Sequence, residues 1–246
     1  SVWYYWRKRW KLRPFVAIWH LLRTYSEFGK AILDRFACWG GRQMIVSVNG
    51  QDLWDKFLMN EQAFVILASH VGNLDLAGYT IRMPQAVFAV VHTGDSDTVE
   101  ENRARLFREM GITIIPIQED GGHVLDMHRA ISEGHVVSVH GDRLFSHTRA
   151  LYANFLGKKA RFPEGCYRFV AAEKVPVLSL SVMRESCGHY TIYVRQLSDG
   201  LYNAKNHQKQ AQEVLNAYVH NLEEMLTRYP EQWFNFYDFW TDNNEM

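Results

Sequence analysis

Ala63-Phe64-Val65-Ile66-Leu67-Ala68-Ser69-His70-Val71-Gly72-Asn73-Leu74-Asp75 is the stretch from which the fold is read. Its first six residues are apolar and rich in strand formers, the pattern of a strand buried on both faces of a mainly parallel sheet. Gly72 and Asn73 interrupt the strand, and Asn73 reads as the cap of a helix running on through Leu74 and Asp75. On one continuous helix, positions five apart would stand roughly 140° apart round the axis and never meet. His70 and Asp75 therefore approach each other only if His70 lies in the turn and Asp75 in the first turn of the helix. A carboxylate at that place also suits the helix dipole.

The same alternation extends in both directions. Strands are predicted at 44–48, 63–68, 86–91, 112–117, 135–140, 176–183 and 190–196, and helices at 12–38, 73–82, 97–110, 121–133, 164–173 and 205–228. The fold class is α/β, a mainly parallel central sheet covered by helices, with an amphipathic basic and aromatic helical arm at the N-terminus. With 246 residues, 47% hydrophobic and 14% aromatic, the chain can bury a sizeable core. No linker or repeat divides it, so residues 1–40 are read as the arm and 41–246 as one α/β domain.

Cys38, Cys166 and Cys187 are odd in number and widely spaced, which fits neither a disulfide framework nor a zinc site and favours a reducing compartment. His123 and His128 fall on different faces of a predicted helix and no HExxH pair occurs, so no metal site is expected. Net charge is zero, yet Arg7, Lys8, Arg9, Lys11 and Arg13 crowd together with Trp3, Tyr4, Tyr5, Trp6 and Trp10. Aromatic rings beside cations suit a membrane interface. A solvated basic tail is the plain alternative, and no nucleic-acid motif supports a nucleic-acid partner. The apolar stretch Phe15–Leu22 is too short and interrupted to span a bilayer.

A carboxylate accepting from one imidazole nitrogen fixes the tautomer and leaves the other nitrogen free to take a hydroxyl proton. That is the base and orienter of acyl-transfer chemistry. No Gly-x-Ser-x-Gly elbow supplies a serine nucleophile, so the acceptor hydroxyl is expected to attack directly, without an acyl-enzyme. On spacing alone, the reading of His70 and Asp75 as a loop histidine and a helix-start aspartate with only structural roles is the favoured one.

His70 and Asp75 with four residues between them resemble the HX4D/E motif of the lysophospholipid acyltransferase superfamily. The string His70-Val71-Gly72-Asn73-Leu74-Asp75 resembles that of the lipid A biosynthesis (lauroyl/myristoyl) acyltransferase family, with Leu74 in place of tryptophan and Asp75 in place of the commoner glutamate. Gly141-Asp142-Arg143, Phe155-Leu156-Gly157-Lys158-Lys159-Ala160-Arg161-Phe162-Pro163-Glu164-Gly165, Val175-Pro176-Val177 and Tyr229-Pro230-Glu231-Gln232-Trp233 follow in family order.

The resemblance implies an O-acyltransferase acting at a membrane surface. A fatty acyl group would pass from an acyl carrier protein or CoA thioester to a hydroxyl of a lipid or glycolipid, with no metal or other cofactor. His70 would be the general base and Asp75 its orienter. Arg143, Asn73, Lys158, Arg161 and Glu164 would contact substrate, although Lys158 with Lys159 also reads as a solvated pair, Arg143 as a structural partner of Asp142 or Glu164, and Glu164 as a helix cap. Backbone amides at Gly72-Asn73 or Arg143 are the expected oxyanion donors. The expected location is the cytoplasmic face of the inner membrane, peripheral or held by an anchor preceding Ser1. An acyl-thioester hydrolase and a non-catalytic lipid-binding module are the competing functions. The block Asn235-Phe236-Tyr237-Asp238-Phe239-Trp240 reads either as an acyl-tunnel or membrane-facing segment or as a tail packed on the domain.

Overall fold

The computed structural model describes residues 2–80, 83–92, 97–118, 120–144, 149–201, 206–237 and 239–240. In chain order the elements begin with α1 (Val2–Tyr4), a π-helical turn (Tyr5–Arg9), α2 (Pro14–Trp39), β1 (Ile45–Asn49) and α3 (Gln51–Asn60). Then follow β2 (Phe64–Gly72), α4 (Asp75–Thr80), β3 (Val87–Val91), α5 (Asp97–Glu109), β4 (Ile112–Pro116), α6 (His123–Ser132) and β5 (Val136–His140). The last part holds β6 (Ala150–Phe155), β7 (Lys158–Pro163), α7 (Glu164–Glu173), β8 (Val177–Ser186), β9 (His189–Ser198), α8 (His207–Arg228) and a 3₁₀ turn (Pro230–Gln232).

Among the described residues, seven strands form one sheet in the order β1-β9-β8-β2-β5-β3-β4. Every pairing is parallel except the β8–β9 hairpin, whose tight turn uses Gly188 at φ +74°. The central strand β2 is buried from Phe64 to Ser69, as its unbroken apolar run requires when helices cover both faces. Phe64, Ile66 and Ala68 pack with Trp54, Leu76 and Ala77 on the face of α3 and α4. Val65, Leu67 and Val71 point to the other face, where Tyr167, Val170, Leu215 and Tyr218 of α7 and α8 complete the larger core.

Three features depart from the sequence reading. The strand predicted to stop at Ala68 runs on to Gly72, so His70 lies in the strand and not in the turn. A pairing irregularity against β8 between Ala68 and Gly72 makes this extension, and the backbone N–H of Phe234 donates to the His70 carbonyl at 2.8 Å. Secondly, Asn73 is no helix cap: its buried side-chain amide donates to the Ala31 carbonyl of α2 at 2.9 Å. Thirdly, α3 and the β6–β7 hairpin went unread. The hairpin turn is Leu156-Gly157 with both residues at positive φ, +49° and +74°, a conformation that a leucine does not signal. Of the helices predicted at 73–82 and 205–228, Ile81, Arg82 and Lys205 lie outside the described residues, as does Asp238 of the aromatic C-terminal block.

Residues 2–10 are divided between core and solvent. Val2, Tyr5 and Trp6 are buried, with Tyr5 edge-on to Trp233 at 5.2 Å, while Trp3 is exposed. Pro14 opens α2 at a position where its missing N–H costs no hydrogen bond. Helix α2 is pinned by Asp34, which accepts from Arg184 Nε at 2.9 Å and from the Tyr190 hydroxyl at 2.6 Å. Its outer side exposes Phe15, Ile18, Trp19, Leu22, Leu33 and Phe36, Leu33 to 68%. Among the described residues no helix is long and apolar enough to cross a membrane.

Candidate active site

Strand register assembles the site. In the parallel β2–β5 pair, Phe64 faces Val136 and Ala68 faces His140, so two residues further on His70 comes level with Asp142. The His70 backbone N–H donates to Asp142 Oδ2 at 2.8 Å, and its ring Nδ1 lies 2.7 Å from Asp142 Oδ1. The hydrogen bond that the sequence reading gives to Asp75 is therefore made by Asp142, whose carboxylate is wholly buried. Asp75, at the start of α4, pairs instead with Arg35 of α2 at 2.9 Å. Helix α4 points its first carboxylate at α2, whereas the parallel register carries Asp142 straight to the imidazole.

Asp142 is held from several sides. Trp233 Nε1 donates to its carboxylate at 3.4 Å, and the Tyr237 hydroxyl and Asn235 side-chain amide donate to its backbone carbonyl at 3.2 and 3.4 Å. Below it, the Tyr167 hydroxyl donates to the Gly141 carbonyl and the Tyr218 hydroxyl to the Ala68 carbonyl, each at 2.8 Å. Position 141 suits glycine, because a Cβ there would meet the Tyr167 hydroxyl at 2.8 Å and the Tyr218 ring at 3.0 Å and force these side chains to shift. Gly72 is equally constrained: it has φ +76°, and a Cβ would collide with the Val182 carbonyl.

The charges follow from this packing. Burial works to lower the His70 pKa, but the Asp142 charge and hydrogen bond outweigh it, leaving His70 above its ordinary value. Burial works to raise Asp142, and His70 overcomes it, so the carboxylate stays ionised below the ordinary range. His140, whose ring centroid is 4.6 Å from that of His70, is pushed down to about 4, first by burial and then by the neighbouring His70.

His70 stands where two recesses meet. One is a cavity of about 1090 Å³ lined mostly by apolar groups, including Ile66, Ala77, Val87, Ala89, Phe107 and Met110, with His70, Asp75, His140 and Arg143 at one part of its wall. It descends the α4 face of the sheet to the level of Ile66, Ser138 and Ala89, which are register partners across β2, β5 and β3. Four strand steps lead from Ile66 to His70, about 13 Å. The other recess, about 270 Å³, is lined by Phe28, Arg35, Asn73, Asp75, His140, Arg143, Phe234 and Phe236, again with His70.

Of the residues singled out in the sequence, His70, Asp75, Arg143 and Asn73 thus share one locus. Arg143 also lies over the Tyr237 ring at 5.7 Å. Lys158, Arg161 and Glu164 line neither recess. Lys158 Nζ approaches the Tyr4 hydroxyl at 3.4 Å, Arg161 is on β7, and Glu164 pairs with Arg168 at 3.1 Å along α7. Sequence reasoning missed the orienting contact of Asp142 and missed Arg35 and His140 altogether. Asp142 follows an apolar strand just as His70 does, and the pairing of those two strands was the signal that could have joined them.

Residues 26–241 match the family model described as bacterial lipid A biosynthesis acyltransferase. No curated protein matches the chain.

Proposed function

The chain belongs to the bacterial lipid A biosynthesis acyltransferase family, and from that premise we propose that it moves a fatty acyl group from a thioester to a lipid or glycolipid hydroxyl with His70 as general base. The observation that carries this reading is the place of His70, between a large apolar cavity and a smaller recess bearing two arginines. The apolar cavity suits a hydrocarbon chain, which gains by leaving water. The arginine-lined recess suits a polar acceptor carrying negative charge.

In this mechanism Asp142 accepts from Nδ1–H of His70 and fixes the tautomer, so that Nε2 is free to take the proton of the acceptor hydroxyl. The hydroxyl oxygen attacks the thioester carbonyl directly. The tetrahedral intermediate expels the thiolate, which recovers the proton from His70, giving ester and free thiol. Asp75 holds Arg35 towards the acceptor recess, and Arg143 faces both recesses.

The acceptor reaches this site from a bilayer. Supporting this are the outward apolar side of α2, the basic residues Arg7, Lys8, Arg9, Lys11 and Arg13 before it, and the contribution of Phe28 and Arg35 from α2 to the smaller recess. Donors carried on acyl carrier protein or CoA place the reaction on the cytoplasmic side. The test is incubation with lauroyl-, myristoyl- and palmitoyl-thioesters and anionic vesicles carrying lysophospholipid or glycolipid acceptors. Ester product from the parent, and a loss of about 10³-fold or more in His70→Ala at equal folded fraction, is expected. Thiol release without ester would make the protein a hydrolase instead.

A further inference from the structure

His140 stands beside the proposed base, and the mechanism has not used it. It ends β5 opposite Ala68, and strand alternation turns it to the same sheet face as Ser138, towards the cavity. Its ring touches that of His70, with centroids 4.6 Å apart and planes inclined by 38°, and it lines both recesses. Among the described residues neither ring nitrogen has a hydrogen-bond partner, whereas His70, Asp142, Tyr167 and Tyr218 around it are all paired. The ring is partly exposed at the wall of both recesses, so its one N–H, unpaired within the described protein, is open to whatever occupies them.

The geometry of the reaction says which occupant. An acyl chain in the cavity with its thioester beside His70 Nε2 puts the carbonyl at the meeting point of the two recesses, which both histidines line. A base role does not suit His140, because no carboxylate bonds to it and burial holds it uncharged at neutral pH, at about 4. A group kept uncharged is a donor that does not compete with His70 for the proton.

Resting on the acyl-transfer reading above, we propose that His140 is a further catalytic residue, whose ring N–H donates to the thioester carbonyl oxygen and holds the oxyanion. As the acceptor oxygen forms its bond to the carbonyl carbon, the C=O electron pair moves onto that oxygen. The pair returns as the C–S bond breaks, and the thiolate leaves with the proton held by His70. His140 keeps its own proton throughout.

The test compares steady-state transfer by the parent, His140→Phe and His140→Gln, together with calorimetric binding of an S-alkyl coenzyme A thioether, which has the chain but no carbonyl. Loss of an oxyanion donor is expected to lower kcat by about 10²–10³-fold. In His140→Phe this loss should come with KM for the thioester and affinity for the thioether within about threefold of the parent, because the cavity remains. His140→Gln, which keeps an N–H donor, should recover at least about tenfold of it. Should His140→Phe fail to fold, His140→Met replaces it under the same criteria. A kcat for the donor-free variant within about threefold of the parent would overturn the role of His140 alone, as would a Gln variant no faster than it. A parent that forms no ester with any donor overturns the acyl-transfer reading itself, and this proposal with it.

Discussion

On one flank of His70, Asp142, Trp233, Asn235, Tyr237, Tyr167 and Tyr218 bond the His70 amide, the carbonyls of Ala68, Gly141 and Asp142, and the Asp142 carboxylate. On the other flank, α4 and the end of α5 stand off strands β2, β5 and β3 around a cavity of about 1090 Å³. The strands record the same contrast. β2 is buried for six consecutive residues, whereas in β3 only Val90 is fully buried and in β4 only Ile115. Protein interiors ordinarily fill to crystal-like density, so a void of this size beside a hydrogen-bonded dyad marks a division of labour. Rigidity is concentrated where a proton has to be aimed, and space is left where a flexible chain has to enter.

Breaking the packed flank is expected to have the largest effect. Asp142→Asn keeps the shape but removes the charge that fixes the His70 tautomer, and kcat should fall by about 10³-fold or more. The pH profile sharpens the assignment. The base works unprotonated, so kcat/KM should rise with pH through a pKa lying above the ordinary histidine value of 6.5. Burial alone would lower that pKa, and Asp142 is the main group raising it, with Asp75 assisting and Arg143 opposing. In Asp142→Asn the acid limb should therefore move to lower pH while the plateau drops. A limb that stays in place would mean that the profile reports another group.

Filling the open flank should have a smaller and more selective effect. Ala89 lines the cavity at the level of Ser138, well below His70. Ala89→Phe puts a ring into existing space, so the core is not overpacked and thermal stability should hold. Transfer from palmitoyl thioesters is expected to fall by about tenfold relative to lauroyl thioesters, since each excluded methylene forfeits about 0.8 kcal/mol of burial. Competition between the two donors, analysed by mass spectrometry, reads this ratio directly. An unchanged ratio would mean that the chain lies elsewhere.

The sequence exposed these flanks unequally. Ala63–Ala68 announced a buried parallel strand because continuous apolar runs have few other uses, and the period of the flanking segments announced the helices. His70 was legible as chemistry because it follows that run at once. Its partner was not, since helix geometry relates Asp75 to its neighbours locally, whereas Asp142 reaches His70 across 72 positions through strand order alone. Likewise the hairpin of β6 and β7 was hidden by Leu156 at a position that usually takes asparagine or glycine. The C-terminal aromatics were read as tunnel or tail. Phe239 and Trp240 of that block are buried in the larger core, as a tail packed on the domain would be, while Trp233 and Phe234 just before it bind the end of β2.

Asp75 tests whether the two flanks are distinct in function. It belongs to the motif that drew attention in the sequence, yet it is about one-third exposed and bonded to Arg35, which is exposed to a similar degree. Ion pairs so open to water contribute little to stability, so Asp75→Asn should leave the folded protein almost unaffected. Its catalytic effect should also differ in kind from that of Asp142→Asn. With its partner neutral, Arg35 is no longer held towards the smaller recess, and the cost should fall on acceptor binding. A rise of about fivefold in KM for the lipid acceptor, with a smaller change in kcat and none in KM for the thioester, is the expected outcome. Collapse of kcat to the level of Asp142→Asn would instead mean that Asp75 reaches the imidazole once substrate is bound, and that the division between a fixed catalytic flank and an open binding flank does not survive turnover.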